Sequence, residues 1–252
     1  MARYFLEVMY NGTAFSGSQI QGEQATVQLA LNNALSTILR EPVETYGASR
    51  TDEGVHALGN YYHFDTGKEL WASFFYNLNS ILPGTIAARK IFQANDSELN
   101  ARFAALTRRY RYRIYNSKDP FLLQRALYFP FRLDTALLQQ SAKVIMEYDN
   151  FETFSKRNTQ SKTFICKIHQ SYWEEVGKEL HYVVEANRFL RGMVRGLVGT
   201  QLQVGRGRMS MEQFREVIEA RDCTLADFSV DGHGLYLEHI QYPEDVLTEL
   251  FV

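Results

Sequence analysis

Residues 3–9 alternate apolar and polar positions and end at "YNGT", the pattern of a strand closed by a turn. Val27, Leu31, Ala34, Leu35 and Ile38 then recur at helical spacing behind Thr26, predicting a helix over 26–39 with Thr26 at its N-cap. "PVETYGA" and "LGNYYHFDT" read as a second and a third strand. A second helix, 69–79, carries Trp71, Phe74, Phe75 and Leu78 on one side, and "ILPGT" stops it. The second half opens on "RRYRYRIYN", a strictly alternating strand. Arg109, Arg111 and Arg113 line one face; Tyr110, Tyr112 and Ile114 line the other. Asp134 caps a helix to about Tyr148. Strands follow near 164–174 and 180–186. Asn187 is expected to cap a helix to about Gln203 and Ser210 another over 211–221, before the closing strand "GLYLEHIQYP". Strands and helices do not alternate one for one, so the expected class is α+β with mostly antiparallel or mixed sheets. Two subdomains are expected, 1–106 and 107–252.

Composition adds little until charge is located along the chain. The 252 residues are 45% hydrophobic and 22% charged, ordinary for a globular protein. No signal peptide or membrane-length apolar run is visible, and Cys166 and Cys223 have no partner pattern. These features lead to the expectation of a cytoplasmic protein. The net charge of −2 argues against a generic nucleic-acid binder. Its distribution argues the other way. Fifteen of the 27 lysines and arginines lie in 98–118, 154–168 and 186–208, with Glu98 as the one acid among them. Three basic segments of this kind can form a surface for a polyanion, or separate solvated faces.

The densest ionisable chemistry lies in "YGASRTDEGVHALG", residues 46–59. "TDEG" is by itself an ordinary turn. Asp52 and Glu53 do not make a glycosidase pair, because sequence neighbours in extended chain point to opposite sides. His56 and His63 complete no recognised metal-ligand spacing, so no metal is expected. In 188–203, Arg188, Arg191 and Arg195 are spaced by three and four and predict one basic helical stripe. Gly192, Gly196 and Gly199 in that helix suggest close approach of another backbone, since each costs ~1 kcal/mol against alanine. Arginines beside Tyr110 and Tyr112 can hold a stacked base with its phosphates.

Together these residues resemble the TruA family of tRNA pseudouridine synthases. The resemblance runs through "YNGTAFSGSQIQGEQATVQLALNNAL", "SRTDEGVHALGNYYHF", "LNARFAALTRRYRYRIYN", "ANRFLRGMVRGLVG" and "GLYLEHIQYP", nearly the whole chain. It implies a cofactor-free isomerase that converts uridine to pseudouridine at positions 38–40 of the tRNA anticodon arm. It implies Asp52 as the catalytic residue, acting as nucleophile or as base at the sugar. It gives Arg195 as the charge partner of Asp52, Arg50 as the residue that enters the vacated space or steadies the flipped nucleotide, and Tyr110 as the ring stacked on the target base. A homodimer with tRNA spanning both subunits is implied as well. Arg188, Arg191, Arg206, Arg208 and the 108–113 arginines, Arg109 and Arg111 among them, are then candidates for RNA phosphates. The sequence departs from the family's usual pattern at Ser18, Ser49 and Glu53.

Overall fold

The computed structural model describes residues 1–157 and 162–250. In chain order the regular elements are β1 (Ala2–Tyr10), α1 (Val27–Leu39), β2 (Tyr46–Gly47), β3 (His56–Thr66), α2 (Phe74–Ile81), β4 (Ile86–Ala94), β5 (Thr107–Tyr115), β6 (Leu127–Tyr128), α3 (Thr135–Ile145), β7 (Ile168–Val176), β8 (Glu179–Ala186), α4 (Met193–Gly205), α5 (Met211–Glu219), β9 (Leu235–Gln241) and β10 (Leu247–Leu250). The class is α+β. Two compact units divide the chain: Met1–Leu106 with Leu237–Val252, and Thr107–Tyr236.

In the first unit β10, β4, β1 and β3 pair antiparallel in that order, and β2 pairs with β3. Register puts Phe5 opposite His63 and Leu6 opposite Tyr62. Phe5, Leu6, Val8 and Phe64 from the strands are fully buried, as are Leu31 and Leu35 from α1 and Phe74 and Leu78 from α2. Burial of each such side chain contributes ~1.5–3 kcal/mol. The Thr26 side chain accepts the Leu29 N–H, the cap that the sequence predicts. The second helix starts later than expected, at Phe74. Trp71 instead supplies a turn carbonyl to the Phe74 N–H at 2.8 Å. The second strand shrinks to Tyr46–Gly47. β4 and β10 were not expected from the sequence.

In the second unit β5 pairs antiparallel with β8, and β8 with β7, while β6 lies parallel to β5. Tyr110, Tyr112 and Ile114 are buried and Arg109, Arg111 and Arg113 are half-exposed, as the alternation predicts. α3 and α4 pack together around a buried glutamine. Gln201 Oε1 accepts from Ser141 Oγ at 3.1 Å and from the Trp173 indole at 2.9 Å. Asp134 caps α3 by accepting from the Ala136 and Leu137 N–H groups. Ser210 and Gln213 form a reciprocal capping box on α5.

The helix expected from Asn187 begins only at Met193. Asn187 is spent elsewhere: its Oδ1 accepts the Lys167 N–H at 2.8 Å and its own N–H reaches the Lys167 carbonyl at 3.1 Å. Gly192 then takes φ 75°, a left-handed conformation that starts the helix afresh. Arg188 and Arg191 therefore lie in the loop before α4, and the three-arginine helical stripe does not form. The expected close backbone approach is present at Gly199, where a Cβ would stand 2.1 Å from the Asp227 carbonyl oxygen.

Candidate active site

The loop 48–56 is held from below by hydrogen bonds to backbone and buried side chains. The Ala48 N–H donates to the Tyr61 carbonyl at 2.8 Å. Asn60, fully buried, accepts the Ser49 N–H through Oδ1 at 3.3 Å and donates to the Ser49 carbonyl at 2.9 Å. The Thr51 N–H donates to Ser18 Oγ at 2.8 Å, and the Ser18 N–H donates back to the Thr51 carbonyl at 3.0 Å. Tyr10 OH and Thr51 Oγ1 lie 2.8 Å apart, and Asn60 Nδ2 donates to the same Tyr10 oxygen at 3.2 Å.

The turn expected from "TDEG" forms one residue later, over 52–55. The Val55 N–H donates to the Asp52 carbonyl at 3.2 Å, and Gly54 sits at φ 77°. Behind it the segment at Gly12 passes close to the loop backbone. A Cβ on Gly12 would lie 1.9 Å from the Val55 carbonyl oxygen, and the Gly12 N–H donates to His56 Nδ1 at 3.2 Å. Thr51 is buried, Asp52 is half-buried, and Arg50 and Glu53 are exposed. The anchored, buried middle residue thus stands between an exposed Arg50 and a half-buried Asp52.

Both histidines considered as metal ligands serve structure. His56 Nδ1 takes the Gly12 N–H. His63 Nδ1 takes the Ala101 N–H at 3.3 Å, and its ring stacks on Phe5 and Tyr46 at 5.7 and 5.2 Å. Burial, reinforced by the Arg3 charge, lowers the His63 pKa to about 4. Among the described residues no group of three or more His, Cys, Asp or Glu could hold a metal ion.

The second unit carries the remaining candidates. Tyr110 is 5% exposed and meets Phe189 edge-on, with centroids 5.1 Å apart and planes at 85°. Arg195, in the first turn of α4, donates Nε–H to the Val230 carbonyl at 2.8 Å. The next carbonyl, of Asp231, accepts from Tyr112 OH at 2.7 Å. Burial raises the Tyr112 pKa, and the Arg195 charge opposes that shift. The strand's arginines have partners within the unit. Arg108 donates to the Asn187 carbonyl at 2.8 Å and Arg109 to Tyr172 OH at 2.9 Å. Arg111 pairs with Glu174, and Arg113 makes a two-pronged pair with Glu179 at 2.8 Å. Arg188 and Arg191 precede α4, and the Arg191 carbonyl accepts the Lys156 N–H at 3.0 Å. Cys166 is buried with its thiol pKa pushed up to about 11, against the pull of Arg188. Arg206 lies over the Phe131 ring at 3.8 Å. The basic segment 154–168 includes residues 158–161, which lie outside the described residues.

Side-chain motifs pointed to Arg50, Asp52, Tyr110 and Arg195 but not to what holds them. Ser18 was visible as a departure from a family pattern, and its role as the Thr51 acceptor was not. Asn60 gave no signal. The Val230 and Asp231 acceptors are backbone atoms, which carry no sequence mark.

A family profile described as tRNA pseudouridine synthase matches residues 148–243. "tRNA pseudouridine synthase A" of Parabacteroides distasonis is 42% identical over 248 residues, 98% of this chain and 98% of that one. The protein of the same name from Bacteroides thetaiotaomicron is 41% identical over 99% of this chain and 94% of that one. That from Porphyromonas gingivalis is 38% identical over 98% and 99%. The chain belongs to the tRNA pseudouridine synthase family. Among the described residues, no helix is long and apolar enough to cross a membrane. A chain of a partial Cas6-RT-Cas1–Cas2 complex aligns with a TM-score of 0.21 at 12% identity, covering 82% of this chain and 44% of that one, which is too weak to bear on fold or function.

Proposed function

We propose that this protein isomerises uridine to pseudouridine in the anticodon arm of tRNA, at positions 38–40, with Asp52 as the catalytic residue. The reaction breaks the N1–C1′ glycosidic bond, turns the base and joins C5 to C1′. The C5 proton leaves and N1 takes one up, so the reaction balances without oxidant, reductant or cofactor. Asp52 acts at the sugar, as nucleophile or as base, and either role needs it ionised. Arg195 is the charge partner of Asp52 in this reading. The target base is unstacked before reaction. Arg50 enters the vacated space or steadies the extruded nucleotide, and the Tyr110 ring stacks on the base.

The observation that carries this reading is 42% identity over 98% of the chain to a protein named tRNA pseudouridine synthase A, with the Arg50-Thr51-Asp52 triplet on a loop anchored through its middle residue. Arg188 and Arg191, in the loop before α4, hold RNA phosphates. Arg109 and Arg111 do so by exchanging Tyr172 and Glu174 for phosphate. Phosphate contacts make affinity fall steeply with salt. The enzyme works as a homodimer in the cytoplasm.

The test is tritium release from tRNA transcripts labelled at uridine C5, comparing wild type with Asp52→Ala. New C5–C1′ bond formation expels the label. Release by wild type alone supports the reaction and its catalyst. Release by neither protein, with tRNA still bound, would leave an RNA-binding protein without turnover. Release by both would remove Asp52 from its role.

A further inference from the structure

We propose that Thr51 is a positioning residue of the catalytic loop, and that Ser18 and Tyr10 are the clamp through which it acts. The inference rests on the Asp52 reading above. Thr51 is gripped at three of its polar groups. Ser18 Oγ accepts its N–H at 2.8 Å, the Ser18 N–H donates to its carbonyl at 3.0 Å, and Tyr10 OH meets its Oγ1 at 2.8 Å. The clamp is itself fixed. Ser18 is 2% exposed, and its carbonyl accepts the Gln28 N–H of α1 at 3.0 Å. Tyr10, the last residue of β1, is 4% exposed and its oxygen also takes Asn60 Nδ2.

Loop and clamp also touch through backbone. Gly17 is at φ 93°, and a Cβ there would stand 3.0 Å from the Thr51 carbonyl oxygen and 3.6 Å from the Asp52 carbonyl carbon. Segment 10–18 therefore lies directly beneath residues 51–55. Thr51 is buried, whereas its neighbour Arg50 is exposed and Asp52 half-buried. Its hydrogen bonds fix the backbone from which both of those side chains depart. A carboxylate that must meet one atom of a sugar loses rate steeply when displaced, by ~100-fold for a shift of about 1 Å. Ground-state affinity for a large polyanion depends on many phosphates instead. The clamp should therefore act on kcat and leave tRNA affinity alone.

The experiment measures kcat, KM and tRNA Kd for Thr51→Val, Thr51→Ser and Tyr10→Phe, with Asp52→Ala as control. Activities are normalised to the folded fraction from thermal denaturation. Thr51→Val keeps the shape and removes Oγ1; Thr51→Ser restores it. The expected result is a ~10- to 100-fold fall in kcat for Thr51→Val, with KM and Kd within about twofold. Thr51→Ser should return to near wild type, and Tyr10→Phe should fall in the same direction. A wild-type kcat per folded Thr51→Val molecule would overturn the proposal. So would a loss that tracks only the folded fraction, or one confined to KM. If Asp52→Ala itself releases tritium, the failure lies in the assignment of the reaction's catalyst. If Asp52→Ala is inactive and Thr51→Val is not, the clamp alone fails.

Discussion

Arg195 gives its Nε–H to the carbonyl of Val230 at 2.8 Å, so one edge of its guanidinium is fixed by backbone before any substrate arrives. A lysine carries the same charge but has no second, rigidly linked donor to hold a carbonyl while its charge serves elsewhere. If Arg195 is the charge partner of Asp52, Arg195→Lys should lower kcat for tritium release by ~10- to 100-fold, or ~1.4–2.7 kcal/mol of barrier. The tRNA Kd should stay within a few-fold. Wild-type turnover by Arg195→Lys would show that the fixed geometry is not needed.

Gly199→Ala sets two effects against each other. Alanine in a helix interior gains ~1 kcal/mol over glycine. The new Cβ would stand 2.1 Å from the Asp227 carbonyl oxygen and 3.2 Å from its Cγ. Backbone does not yield as a flexible side chain would, and overpacking costs ~1–3 kcal/mol at ordinary sites. The clash should win. A net loss of ~2 kcal/mol corresponds to a Tm lowered by roughly 4–8 °C. A raised Tm would mean that the 227 segment moves freely.

These two sites also show where the sequence was readable. The arginine–tyrosine alternation of β5 and the caps Thr26, Asp134 and Ser210 are local physics, and the fold keeps them. α4 misled because Asn187 has the chemistry of a helix cap and its three following arginines have helical spacing. A tertiary bond to Lys167 took the asparagine, and Gly192 took a left-handed φ. β4 was missed because Ile86–Ala94 mixes small, basic and apolar residues without a clear period. Its place comes from pairing with β1, a long-range fact. Of the loop that carries Asp52, the ionisable residues were legible. The Ser18, Tyr10 and Asn60 contacts beneath it join positions 33, 41 and 11 residues distant in sequence.

His63 predicts a pH dependence of stability. Its folded pKa is lowered to about 4 from the ordinary 6.5, chiefly by burial. Between those values the unfolded chain binds a proton that the folded chain refuses. Stability is therefore full above pH 6.5 and falls as pH drops toward 4. Asp65 is held below its usual range by hydrogen bonds to Arg3, which adds a further loss at lower pH. In urea denaturation, His63→Gln should show a smaller fall in midpoint between pH 7 and 4.5 than wild type, because the amide does not titrate. An identical fall in both would assign the acid sensitivity to other groups.

Tyr110 separates a structural from a catalytic use of one ring. It is 5% exposed and meets Phe189 edge-on. Tyr110→Phe keeps ring and edge contact and should cost ~0.5–1.5 kcal/mol of stability. Tyr110→Ala would open a cavity worth ~3–5 kcal/mol, so its inactivity alone would prove little. Tyr110→Leu fills most of the space but offers no π face. Stacking of a base on an aromatic ring is worth ~1–3 kcal/mol. If the ring stacks on the target uridine, kcat/KM for tRNA should be ~10- to 100-fold lower in Tyr110→Leu than in Tyr110→Phe at equal folded fraction. Equal activity in the two would leave Tyr110 as a packing residue of β5 and remove the stacking role.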